Sequence, residues 1–438
     1  MLKKAHSLVI AMLLVVVLAL SGCSSSKEGT SSETGGKDKK VTITFMHLWT
    51  AGSSKQHNMI VNDIIKEFEA QHPNVTVKQE VLENEQYKNK LKVLAASNEL
   101  PDVGMTWAAG FLEPYVKGNL FAPLDDILSA GLKEKFVAGT TEAYAVNDKT
   151  YALPLELNIT PIYYNKGIFE KYGLDVPKTY EEFKNVVQTL VKNGVAPIAL
   201  GNKDRWTGSM WYMYLADRIG GADTLKNAIN GSGTFEDLGL IKAAEEIQHL
   251  VKMKAFIKGF NGLSNDEAKA EFTNEKAAMY LMGTWDLPQF TTNEDIPKAF
   301  RDKVGFFKFP VVEGGKGNID SWVGGPGVGL FVSENSEVKE EAKEFVKFFI
   351  EKWGEQSVTK AGVIPATKVD TSNIDLPQMY IDVLNELGKA SNITLFADVQ
   401  MSPEAAQTHL NLIQSLFGED VTPADFAKQH QQAIANKK

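Results

Sequence analysis

Tyr151–Lys166, YALPLELNITPIYYNK, is the stretch whose reading decides how the chain is organised. It follows a turn signal, Asn147-Asp148-Lys149, and its apolar run is broken by Pro154 and Pro161. Proline lacks a backbone donor and fixes φ, so these are poor positions for a central hydrogen-bonded ladder. A backbone passage from one lobe to another tolerates such breaks. Glu156, Asn158 and Thr160 alternate through the run, so one face can line a cleft. The stretch reads as a first passage between two lobes. The competing reading is an edge strand of a single α/β domain.

Length agrees with two lobes, because 438 residues exceed one ordinary core. The composition, 43% hydrophobic and 23% charged, is that of a soluble globular protein. A net charge of −9 argues against a nucleic-acid partner held by charge.

Residues 1–22 stand apart from the fold. Lys3 and Lys4 precede an apolar run, Leu8–Leu20, too short for a comfortable membrane span and typical of an export signal. Leu20-Ser21-Gly22-Cys23 resembles a bacterial lipobox, with Cys23 the lipid-attachment residue. Two acyl chains anchor a protein stably where one is marginal. Cys23 is also the only cysteine, so the exported chain is expected to rely on its core rather than on disulfides. Residues 23–40 continue as a Ser/Gly/Lys-rich segment that buries too little to offset its ordering entropy, a tether. The expected location is the outer face of the cell membrane.

Val41–Phe45 alternates as a strand, and Gln56–Gln71 places Ile60, Ile64 and Phe68 on one helical row. Val75–Val81 begins as another strand. This β-loop-α-β unit implies parallel strands, with ligand-facing loops at their carboxyl ends. Trp49 lies in the first such loop, and Asp102 and Trp107 lie where a later strand meets its loops.

The segments EFEAQHPNVTV, LPDVGMTW, GNLFAPLDD and YALPLELNITPIYYNKGIFEKYGLDVPKTYEEF together resemble the family 1 extracellular solute-binding proteins, the maltose-binding-protein-like receptors of ABC importers. The resemblance covers nearly all of the mature chain. It implies an α/β, two-lobed periplasmic-binding-protein-like fold of type II, with mainly parallel sheets and several hinge crossings. The expected lobes are 41–153 plus 284–327 and 154–283 plus 328–438. It further implies a carbohydrate ligand, permease subunits of an ABC importer as partner, a monomer, and no enzyme activity or cofactor.

On that resemblance, Trp206 in the loop opening Gly201–Gly221 is an aromatic platform for sugar. Gly283-Thr284-Trp285 resembles the family's G-x-W segment, where the chain returns to the first lobe with Trp285 at the cleft mouth. Trp322, ahead of the glycines in the crossing Ser321–Val332, resembles a cleft-facing aromatic, and Asp398 a polar ligand contact. Trp211 and Trp353 fall on helical apolar rows and are expected in the core.

A pyranose offers apolar C–H faces to aromatic rings and a rim of hydroxyls to carboxylates and amides. The expected ligand-binding set is therefore Trp49, Asp102, Trp107, Glu156, Asn158, Trp206, Trp285, Trp322 and Asp398. An exported glycoside hydrolase would carry similar residues, with two carboxyls at a set spacing. A polyol or glycerol phosphate receptor of the same fold is the other alternative. The scattered histidines do not suggest a metal site.

Overall fold

The computed structural model describes residues 40–129 and 131–435. The expected export signal, Cys23 and nearly all of the tether lie outside the described residues. Among the described residues, no helix is long and apolar enough to cross a membrane.

The alternation after Lys40 becomes a strand, Val41–His47, that pairs in parallel with Val75–Val81 and Val103–Thr106. Gly329–Val332 adds antiparallel beside Val103–Thr106, and Leu153–Pro154 forms the far edge. Pro154 thus sits where a missing backbone donor costs least. Helices Lys55–Gln71 and Lys339–Gln356 contribute Ile60, Ile64, Phe68, Phe345, Phe349 and Trp353 to the core of this lobe.

The second sheet runs Val304–Phe307, Ile162–Asn165, Ala277–Leu281, Ala196–Ala199. Its core takes in Trp211 and the helix Trp206–Gly220, against which Pro403–Phe417 packs. Trp211 and Trp353 are both buried, as their helical rows predict.

The lobes are joined by backbone lying side by side. Leu153 and Leu155 belong to the first core, Ile159 and Ile162 to the second, so the chain crosses within Tyr151–Lys166. Leu157–Ile159 pairs antiparallel with Ser321–Pro326, which crosses back between Val323 in the second core and Val328 in the first. A third strand of backbone joins them where Leu157 N–H donates to Ile364 O at 3.1 Å and Ala366 N–H to Leu155 O at 3.0 Å.

These pairings correct the expected lobe boundaries. Val304–Phe307 belongs to the second sheet, and Gly329–Val332 with the helix Lys339–Gln356 belongs to the first lobe. The chain does not return to the first lobe at Gly283-Thr284-Trp285, because Leu287 and Phe290 just beyond still pack in the second core. The return comes some forty residues later, at Gly324–Gly327. A Cβ on Gly324 would lie 2.1 Å from Asn158 O, so only glycine allows the two crossings this close.

Candidate functional site

The second lobe's wall is built where the strand Ala196–Ala199 gives way to the helix Trp206–Gly220. Arg205 holds φ at 68°, an uncommon conformation for a non-glycine residue, and turns the chain so that Trp206 opens the helix at the surface. Trp206 meets Trp285 edge to face, ring centres 6.0 Å apart at 64°. Trp285 in turn meets Phe396 at 5.8 Å and 61°. A Cβ on Gly283 would stand 2.1 Å from the Trp285 ring, so the glycine of Gly283-Thr284-Trp285 lets the indole fold back over its own turn. The result is a partly exposed corner of three aromatic side chains.

The first lobe's wall follows the strand Val103–Thr106. Trp107 leaves its carboxyl end, and Ala109, at φ 51°, starts the helix Ala109–Lys117. The Trp107 ring lies against Phe111 at 5.0 Å and under Lys88 Nζ at 5.0 Å. A cation over an indole face contributes about 0.5–1 kcal/mol at an exposed site. Lys88 also pairs with Glu85 at 3.0 Å.

A cavity of about 390 Å³ takes its lining from both lobes, within the ~300–1,000 Å³ range usual for small-ligand clefts. Glu85, Lys88 and Tyr115 line it from the first lobe, and Arg205, Asp398 and Met401 from the second. Trp107 does not line it but meets two residues that do, Phe111 and Lys88, and Trp206 follows the lining residue Arg205 in the chain. Burial is the main cause that raises the Asp398 carboxyl above its usual pKa, with Lys88 opposing. Burial likewise raises Asp204, which accepts from Asn265 N–H at 2.8 Å. Trp206 Nε1 and Arg205 Nε are shielded donors with no protein partner. Such groups are uncommon in folded proteins and mark strain or function.

The expected set divides. Trp107, Trp206, Trp285 and Asp398 come to the interlobe region. Trp49 does not: it is 3% exposed and stacks on Trp353 in the first core. Trp322 is 1% exposed inside the second core, at the start of the return crossing. Asp102 precedes its strand and so sits at the amino end of the sheet, away from Trp107. It accepts from Thr44 N–H at 2.8 Å and Ser336 Oγ at 2.6 Å, bolting strands together. Glu156 and Asn158 are buried in the hinge. His57 Nε2 donates to Glu156 at 2.9 Å, and Asn158 Nδ2 reaches the other carboxylate oxygen at 3.3 Å.

Sequence reading missed Glu85, Lys88, Asp204, Arg205 and Phe396. Glu85 and Lys88 look like an ordinary helical i,i+3 pair, and positive φ at Arg205 leaves no trace in residue type.

Comparison with known proteins gives an independent result. The family model described as "Bacterial extracellular solute-binding protein" matches residues 52–353. The multiple sugar-binding protein of Streptococcus mutans is 30% identical over 339 residues, covering 75% of this chain and 74% of that one. A structure solved in work on xylan utilization by Caldanaerobius polysaccharolyticus superposes with a TM-score of 0.84 at 35% identity, covering 89% of this chain and 99% of that one. A chitin oligosaccharide binding protein gives a TM-score of 0.84 at 25% identity, covering 91% and 98%.

Proposed function

The chain belongs to the bacterial extracellular solute-binding proteins, and from that premise we propose that it is the carbohydrate receptor of an ABC importer, binding an oligosaccharide between its lobes. The observation that carries this reading is the interlobe cavity, lined from both lobes, whose lining residues Phe111 and Lys88 meet the Trp107 ring. Several similar proteins are described as binding sugars, which supports the same ligand class. Sugar that touches both walls binds the closed arrangement better than the open one, and that difference shifts the population toward closure. The closed form then docks on permease subunits and delivers its cargo unchanged, without enzyme activity.

Arg205 and Lys88 in the lining suggest an anionic ligand such as a glycerol phosphate as the second reading. Glu85 and Asp398 share that lining and favour hydroxyl groups over phosphate. The protein is held at the outer membrane face through acylated Cys23 and acts as a monomer.

A thermal-shift panel of neutral mono- to tetrasaccharides, with glycerol phosphate beside them, tests the ligand class, because a ligand of the native state raises apparent stability by mass action. Stabilisation by one or more glycans is expected; stabilisation by glycerol phosphate alone would overturn the sugar reading. Cys23→Ser should move the protein from the membrane fraction to the medium, and retention of the variant on the membrane would overturn the anchor.

A further inference from the structure

We infer that Tyr280, Asp286 and Lys269 on one side and Thr284 with Asn158 on the other are positioning residues that clamp Trp285 in its orientation at the cleft. The inference rests on the reading that the Trp206–Trp285 corner receives the ligand.

Trp285 is the middle residue of a single 3₁₀ turn, Thr284–Asp286. The turn runs directly into the short helix Leu287–Thr291, and so few backbone hydrogen bonds do little by themselves to fix a large side chain. Both flanking residues, however, are held. Thr284 Oγ1 donates to Asn158 Oδ1 at 2.9 Å and accepts from Ile159 N–H at 3.3 Å. Asn158 and Ile159 belong to the first crossing, so this side of the turn is tied to the hinge. Asp286, 4% exposed, is tied on its other side: Lys269 Nζ reaches Oδ1 at 3.0 Å and Tyr280 Oη reaches Oδ2 at 2.9 Å.

Counting protons gives this network a direction. Tyr280 Oη is also 2.9 Å from the Asn265 side chain, yet the phenol has one proton to give. The Asp286 carboxylate only accepts, so the phenol donates to Asp286, which requires the Asn265 side-chain amide to turn its Nδ2 rather than its Oδ1 toward the Tyr280 oxygen. Asn265 N–H donates to Asp204, whose carbonyl takes Trp206 N–H at 2.8 Å. One chain of bonds thus runs from the turn of Trp285 to the first turn of Trp206, behind the aromatic corner. Tyr280 is 1% exposed. A buried polar chain costs desolvation that apolar packing would avoid, so its service is geometric specificity rather than stability.

The clamp is tested on the full chain labelled with 5-fluorotryptophan, whose seven tryptophans give separate fluorine resonances, with Trp285→Phe identifying the line of residue 285. Tyr280→Phe removes one donor and keeps the ring; Thr284→Val removes the hinge-side hydroxyl and keeps the shape. In both variants the Trp285 line is expected to move or split while the lines of Trp49, Trp211 and Trp353 stay. An unmoved Trp285 line in both variants would overturn the clamp. For whichever of xylotriose, raffinose, maltotriose and chitotriose binds the unaltered protein, Tyr280→Phe should weaken binding by about tenfold. An unchanged Kd would also overturn it. If none of these glycans bound while the fluorine line still responded, the sugar reading would fail and the clamp would stand.

Discussion

Trp49 and Trp353 lie face to face, ring centres 4.5 Å apart and planes within 2° of parallel. Trp353 Nε1 then donates to Leu155 O at 2.9 Å, so the stack supports the first crossing from beneath. Two tryptophans that the sequence places on loops thus have different fates: Trp49 fills a core, and Trp206 begins a helix partly exposed. Trp49→Ala should lower stability by about 3–5 kcal/mol, as large-to-small core changes do, and leave glycan affinity unchanged in any protein that folds. Trp206→Ala should do the reverse, weakening glycan binding about tenfold or more, near 1.4 kcal/mol, with little change in the denaturation midpoint. Urea unfolding and calorimetric titration of both variants separate the two roles.

Glu156 organises the hinge. Its side chain takes His57 and Asn158, and its carbonyl takes Gly327 N–H at 2.8 Å, joining both crossings to the helix Lys55–Gln71. Glu156→Ala leaves the buried His57 and Asn158 donors unpaired, at a cost of about 1–3 kcal/mol for such a group. The urea midpoint should fall with an unchanged slope. A midpoint equal to that of the unaltered protein would remove Glu156 from the hinge.

How much of this was legible in the sequence follows from what period and spacing encode. The crossing within Tyr151–Lys166 was readable because Pro154 and Pro161 break its run, although Ile162–Asn165, past the second proline, is an inner strand of the second sheet. Thr179 and Glu182, three residues apart at the start of the helix Tyr180–Lys192, form the capping box that such a spacing encodes. Trp322 was misplaced because an indole beside glycines looks the same whether it faces a cleft or a core. Asp102 does lie where a strand meets a loop, but at the amino end of Val103–Thr106, and residue type does not tell one end from the other. The lobe boundaries failed at Val304–Phe307 and Gly329–Val332 because sheet partners are long-range, and no local pattern names them.

A buried hydrogen-bond chain in the second lobe makes stability depend on pH. Ser209 Oγ lies 2.7 Å from His409 Nε2, His409 Nδ1 lies 2.8 Å from His430 Nε2, and His430 Nδ1 lies 2.8 Å from Phe426 O. The carbonyl requires a proton on His430 Nδ1, so His430 accepts from His409, which accepts from Ser209. Only the neutral rings fit. Burial lowers His409 well below the ordinary imidazole value and His430 to about 4. The unfolded chain therefore takes up protons first as pH falls below about 6.5, and stability present above that value is lost toward pH 4. The slope approaches about 1.4 kcal/mol per pH unit for each ring. Asp204 and Asp398, with raised carboxyl pKa values, act in the opposite sense. Comparing denaturation midpoints at several pH values with those of His409→Gln/His430→Gln isolates the ring contribution: the variant should lose most of the acid slope.

Closure on a glycan is most directly measured by X-ray scattering along a calorimetric titration with xylotriose, raffinose, maltotriose and chitotriose. Saturating binding heat from at least one of them, accompanied by a smaller radius of gyration, is the predicted result. Heat without compaction would contradict hinge closure, and neither heat nor compaction with any of the four would contradict the receptor itself.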